Sequence, residues 1–324
     1  ARPPRLRDSQ RLPIEVAARR ALIAMAAVIE PPYPLIREEL ASGMVVPFLG
    51  AGASRPATGA AALPGAAELS QLLARSTAFP SDDPRDRSDL AKVASYFVEI
   101  NGRKLLRRQL RSHLAVDAAP GALHRYLAAL PGHRLVITTN YDTLLESALR
   151  EAGRPFHLVV HAIERDDWRG SVLWWPPGAA EPTATATNLL DIDLEAGTVV
   201  YKMHGTVGPA ASGEWDNFVV TEDDYTDFLA QMSGGNSAIP AIFQAHFRER
   251  SFLFLGYSLS DWNLRVILKN LSRHLQAEGR GDDFAAWAIQ HNPSLFERKL
   301  WSRRNVQIFD QDIDEFVARL REAG

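Results

Sequence analysis

Six apolar runs of strand length, at 44–49, 135–138, 199–203, 252–255, 285–289 and 306–309, constrain this chain more than any other feature. Several are apolar at every position rather than alternating, which marks strands covered on both faces of a sheet. Helical patterns accompany them at 66–75, 122–130, 142–151, 239–250, 261–275 and 313–320. Strands alternating with helices predict an α/β fold: a Rossmann-like, doubly wound parallel sheet of about six strands. Pro47 lies inside the first run and removes a ladder donor, so it must fall at a bulge or near the strand's end.

The remaining segments organise around that alternation. Residues 1–34 read as an extension, rich in Arg and Pro at first, then an Ala-rich helix over 14–29 that Pro31 and Pro32 stop. That helix would cover part of the sheet or make an oligomer contact. Residues 35–324 read as the main domain, with two insertions. The first, about 70–120, is a small helical lobe whose Arg103, Lys104, Arg107 and Arg108 read as a solvated face. The second, about 153–197, reads as loop-rich, a lid or a surface excursion, and holds Trp168, Trp174 and Trp175. The tryptophan pair would pack, or stack on a base.

Composition excludes several classes. The chain has no cysteine, which removes disulfides, thiolate zinc sites and cysteine nucleophiles together. A net charge of −3 makes no electrostatic case for nucleic acid as the main ligand. His124, His133, His157 and His161 have no metal-ligand spacing, so no metal is assigned. No apolar run approaches the ~20 residues of a membrane span, and no secretion signal fits, which leads to the expectation of a cytoplasmic protein.

Four of the apolar runs end in small polar clusters. These are Gly50-Ala51-Gly52-Ala53-Ser54, Thr139-Asn140-Tyr141-Asp142, His204-Gly205 and Gly256-Tyr257-Ser258. Ligands of open α/β sheets bind at the carboxyl ends of the strands, so four such ends suggest one site. The glycine turn alone is a weak signal, since it lacks a third glycine and no P-loop lysine follows. As an ordered set the clusters are similar to the sirtuin family, which lines one NAD pocket with such motifs. More narrowly, Gly256 to Asp261 with Asn263-Leu264-Arg265 resembles the bacterial sirtuin-like effector domains of antiphage defence. The resemblance runs from about residue 35 to 320.

The departures bear on the reaction. Deacylating sirtuins carry four zinc-binding cysteines and an arginine-containing segment after the glycine turn. This chain has neither, its sequence around 59–63 being Ala-rich. The resemblance therefore implies an NAD glycohydrolase without zinc, with NAD as substrate. It implies that Asn140 positions water and the nicotinamide ribose, that His204 is a general base of near-neutral pKa, and that Asp142 orients the ribose or supports its loop. Gly50, Ala51, Gly52, Ser54 and Thr139 would bind the dinucleotide, with Gly50, Gly52 and Ser54 at a helix N-terminus holding the pyrophosphate. Gly256 and Ser258 would contact the phosphate or adenosine side. Read by itself, His204 could equally be a core histidine, Asn140 a turn residue and Asp142 an N-cap.

Uncontrolled NAD loss is lethal, so such an activity implies restraint by a partner or by assembly. Relatives of this kind work with helicase-type ATPases, short argonaute proteins or nucleotide-sensing domains. The chain ends soon after Leu320, so a separate sensor protein, a homo-oligomer or both are expected. Two other readings stay open: a zinc-free deacylase or ADP-ribosyl transferase, and a non-catalytic sensor of NAD or ADP-ribose.

Overall fold

The computed structural model describes residues 30–55, 63–168, 170–232, 238–257 and 286–323. Its centre is a nine-stranded sheet. In chain order the strands are β1 (Val45–Leu49), β2 (Leu135–Thr138), β3 (Phe156–His161), β4 (Ser171–Trp175), β5 (Thr183–Ala186), β6 (Thr198–Lys202), β9 (Ser251–Leu255), β10 (Ala286–Gln290) and β11 (Val306–Asp310). Two short strands, β7 (Gly205–Thr206) and β8 (Asn217–Phe218), form a separate antiparallel pair. The order across the large sheet is β11-β10-β9-β1-β2-β6-β3-β4-β5. Pairing is parallel from β11 through to β3 and antiparallel only at β3–β4 and β4–β5.

All six expected strands are present, within a residue or two of their expected bounds. The other three lie in the insertion at 153–197, which is a sheet extension rather than a loop excursion. Trp174 and Trp175 sit in β4 and pack: Trp174 Nε1 donates to His157 Nδ1 at 3.1 Å, and Trp175 meets Trp215 edge-on. The expected helix at 14–29, the one at 261–275, and the positions Ser258, Asp261 and Asn263 lie outside the described residues.

Both faces of the sheet are buried, which explains the uniformly apolar strands. Val46 and Phe48 of β1 face one hydrophobic cluster, and Val45 and Leu49 face the other. The conflict at Pro47 resolves through register. Leu49 accepts from Thr139 while Gly50 donates to Leu255, so alternation turns the Pro47 nitrogen toward β2. The β1–β2 ladder covers only Phe48 and Leu49, so no bond is lost there.

A third cluster belongs to the helical lobe, built from Ala66–Ser76, Pro84–Ser88, Leu90–Asn101 and Arg103–Leu114. Its last helix is stapled to neighbouring segments by arginines one turn apart. Arg103 bonds Glu164 and Asp224 at 2.7 Å each, and Arg111 bonds Asp216 at 2.5 Å. Arg107 donates to the Gly213 carbonyl at 3.0 Å. The charge run thus divides: Lys104 and Arg108 are exposed, while Arg103 and Arg107 face inward.

From β1 the chain moves first to β2 and β6 on one side, then to β9 and beyond on the other. The carboxyl ends of β1, β2, β6 and β9 therefore surround the point where the strand order reverses. Such a switch point opens a crevice.

Candidate active site

A cavity of ≈ 280 Å³ occupies that crevice. Ala51 and Ser54 reach it from the turn after β1, Thr139, Asn140, Tyr141 and Asp142 from β2, His204 from β6, and Gly256 and Tyr257 from β9. Leu63, Pro64, Ala66, Leu69, Leu90 and Leu114 form an apolar wall, and Tyr225 completes the lining. The volume lies at the small end of ligand pockets, ~300–1,000 Å³, and suits a nucleoside-sized group.

A continuous hydrogen-bond chain orders the polar floor. Asn140 Nδ2 donates to the Gly50 carbonyl and to Ser54 Oγ, each at 2.9 Å. Ser54 Oγ in turn donates to Asp142 Oδ2 at 2.7 Å. Asp142 Oδ1 accepts from the Leu144 amide at 3.0 Å, the first residue of the helix Leu144–Glu151. Asp142 therefore both supports its helix and anchors the loop. Because a carbonyl only accepts, the bond to Gly50 fixes the orientation of the Asn140 amide. Both amide protons are consumed, and Oδ1 is left as the group that can meet a ligand.

Beneath this floor lies a buried ion pair. Lys202, in β6, binds Glu146 at 3.0 Å, with side chains 0% and 1% exposed. Lys202 Nζ also donates to the Asp142 carbonyl. Neither residue was singled out from the sequence, although a lone lysine inside an apolar strand run was a visible anomaly. Tyr257, whose hydroxyl shares a 2.7 Å bond with Thr139 Oγ1, and Tyr225 were likewise not anticipated.

The glycine turn leads out of β1 toward the cavity. Ala51–Ser54 is a single 3-10 turn, and among the described residues the next helix starts at Ala66. The amides of Gly50, Gly52 and Ala53 already donate, to Leu255, Gly256 and Gly50. What the glycines permit is close backbone approach. A Cβ on Gly52 would lie 2.8 Å from the Gly256 Cα, and one on Gly50 would lie 2.8 Å from the Gly256 carbonyl. Gly256 itself has φ +75, which disfavours any side chain.

His204 borders the cavity but is only 6% exposed, edge-on to Tyr225 at 5.3 Å and Phe228 at 5.4 Å. Burial, with His161 nearby as a smaller cause, pushes its pKa down to about 3, so the near-neutral value expected from sequence does not hold. Burial likewise takes His161 to about 4. These shifts have a stability consequence. An unfolded histidine takes up a proton near pH 6.5, whereas the folded ones stay neutral down to about 4 and 3. Stability is therefore intact above 6.5 and declines below it, by up to about 1.4 kcal/mol per pH unit for each residue. Thermal melts between pH 7 and 5 should show this fall, and His161→Leu should flatten it. An unchanged slope in the variant would refute the assignment.

No group of three or more metal-ligating side chains occurs among the described residues. His124, one of the histidines considered, accepts from the Gly121 amide at 3.2 Å and caps its helix. No helix among the described residues is long and apolar enough to cross a membrane.

Comparison with known proteins places this geometry in context. A family model described as a SIR2-like domain matches residues 134–309. NAD(+) hydrolase ThsA of Acinetobacter baumannii (strain 532279) is 28% identical over 246 residues, covering 76% of this chain and 42% of its own. The protein of the same name from Enterococcus faecium is 29% identical over 191 residues, covering 58% of this chain and 33% of its own. Defense-associated sirtuin 2 of Bacillus subtilis is 26% identical over 223 residues, 68% of this chain and 18% of its own. The chain spans less than half the length of each of these relatives.

Proposed function

Because the chain belongs to the SIR2-like domain family, we propose that its cavity binds NAD+ and hydrolyses it to nicotinamide and ADP-ribose. The observation that carries this reading is the convergence of Asn140, Ser54, Asp142 and His204 on one crevice at the sheet's switch point. The relatives named NAD(+) hydrolase support it.

In the proposed reaction the bond between ribose C1′ and the nicotinamide nitrogen breaks. Its electron pair goes to that nitrogen, which becomes neutral and needs no acid. Water adds to C1′ and loses a proton. Asn140 Oδ1 accepts from a ribose hydroxyl or from the water, held in place by bonds its amide already makes. A histidine as weakly basic as His204 suffices if it acts late, on a water already bonded to the electron-poor carbon and therefore acidic. Ser54 and Asp142 hold Asn140 and its loop, and Asp142 borders the ribose. Gly50 and Gly52 shape the turn; Ala51, Thr139 and Gly256 line the side where the diphosphate leaves the cavity. Ser258 belongs with that side on the sequence argument alone.

The biological role we propose is that of an effector of antiphage defence, in the cytoplasm, restrained until triggered. The name of the Bacillus subtilis relative supports this. Restraint would come from homo-oligomerisation, from a separate sensor such as a helicase-type ATPase or short argonaute, or from both.

Incubating the purified chain with NAD+ and measuring free nicotinamide tests the reading. Release without any acylated peptide is the expected result. Binding of NAD+ by calorimetry with no release, at any concentration or assembly state, would replace it with a sensor. Release only with an acylated peptide would replace it with a deacylase.

A further inference from the structure

Behind His204 lies a second buried histidine that the reaction above does not use. His161 is the last residue of β3, which pairs with β6 in the register Val160 to Lys202. That register sets His161 beside the end of β6, just before His204. It is 1% exposed, and neither Nδ1 nor Nε2 has a hydrogen-bond partner among the described residues. The Nε2 of His204 is buried and unpartnered in the same way. Both imidazoles lie edge-on to one ring, Phe228, with centroids 5.2 and 5.4 Å away.

Three unpartnered ring nitrogens around one phenyl group call for an explanation, because buried polar atoms are nearly always satisfied. A leucine at 161 would fill the space without that cost. Buried water joining two or more such atoms is a common solution in folded proteins. The buried Nε2 of His204 cannot reach a substrate, so its other nitrogen, Nδ1, must act as the base. Which ring nitrogen carries the proton is set by the bond the opposite nitrogen makes. Catalytic bases are generally oriented in this manner by a third group.

We infer that His161 is a positioning residue for His204, accepting a hydrogen bond from His204 Nε2–H that one bound water relays. This bond holds His204 as the Nε2–H tautomer and leaves the Nδ1 lone pair for the attacking water. When Nδ1 takes a proton from the water that has added to C1′, the imidazolium keeps its Nε2–H bond toward His161. The lowering of both histidines' basicity by burial agrees with a neutral relay.

The kinetic arm rests on the hydrolase reading; the spectroscopic arm does not. In His161→Leu, kcat for nicotinamide release should fall by about 10-fold or more, part of the ~10²–10⁴-fold a general base contributes, while KM for NAD+ holds within about twofold. His161→Gln, which can still accept, should recover most of the loss, and adding His161→Leu to His204→Ala should cost nothing further. Imidazole 15N NMR of the ligand-free chain should show His204 as the Nε2–H tautomer, and a mixture in His161→Leu. Equal kcat in wild type and both variants, or a His204 tautomer unchanged by His161→Leu, would overturn the inference. If the wild type binds NAD+ but releases no nicotinamide at any concentration or assembly state, the hydrolase reading falls and the tautomer alone decides this one.

Discussion

Asn140→Ala is expected to lower nicotinamide release by about 100-fold or more, the scale of removing a preorganised polar group at a reacting centre. The variant deletes Oδ1, the acceptor proposed to meet ribose or water, and it deletes the two donors that tie Gly50 to Ser54. The chain should still fold, because the lost bonds leave two acceptors unsatisfied at a cost of about 1–3 kcal/mol. Asn140→Asp separates the two effects. It keeps an acceptor but sets a carboxylate against the Gly50 carbonyl, close to Asp142 and Ser54, so it too should fail. Single-turnover assays beside circular dichroism melts measure both. Activity within threefold of wild type in Asn140→Ala would remove this residue from the reaction.

Lys202→Met is expected to have the largest effect on stability. Lys202 and Glu146 are 0% and 1% exposed. Removing one partner of such a pair leaves a charge buried without compensation, which costs about 3–5 kcal/mol. Because Lys202 also holds the Asp142 carbonyl, the loop beneath the cavity loses its anchor as well. The double variant Lys202→Met with Glu146→Leu should regain much of the stability, since no unpaired charge remains. Urea denaturation of the wild type, Lys202→Met, Glu146→Leu and the double variant gives the coupling energy directly. A Lys202→Met variant within about 1 kcal/mol of wild type would show that the pair is not the anchor, because surface-like pairs are worth no more than that.

How far the site was legible depends on the kind of residue. Asn140, Asp142 and His204 stood at the ends of apolar runs, where side chains leaving a buried sheet have to be polar or small, and all three border one cavity. Gly50 and Gly52 were legible as glycines but not in their purpose. They give close backbone approach to Gly256, some 200 residues further along the chain, and local sequence carries no trace of that contact. The near-neutral His204 failed for a similar reason: burial sets its basicity, and the rings of Tyr225 and Phe228 that pack on it come from the helix Glu222–Met232. The insertion at 153–197 hid three strands because β3 opens on half-buried positions, β4 mixes half-buried with buried ones and β5 is exposed to half-buried, so none has the fully buried run of β1 or β2.

The sequence by itself determined the parallel α/β architecture, six consecutive parallel strands and the polar residues at the carboxyl ends of four of them. It could do so because apolar runs and the helices between them are local consequences of burying both sheet faces. Only the tertiary structure decided which polar atoms remain available to a ligand, how basic His204 is, and that Lys202 and Glu146 neutralise each other beneath the site. Those properties depend on partners brought together across the sheet, where hydrogen bonding and desolvation act between residues far apart in the chain.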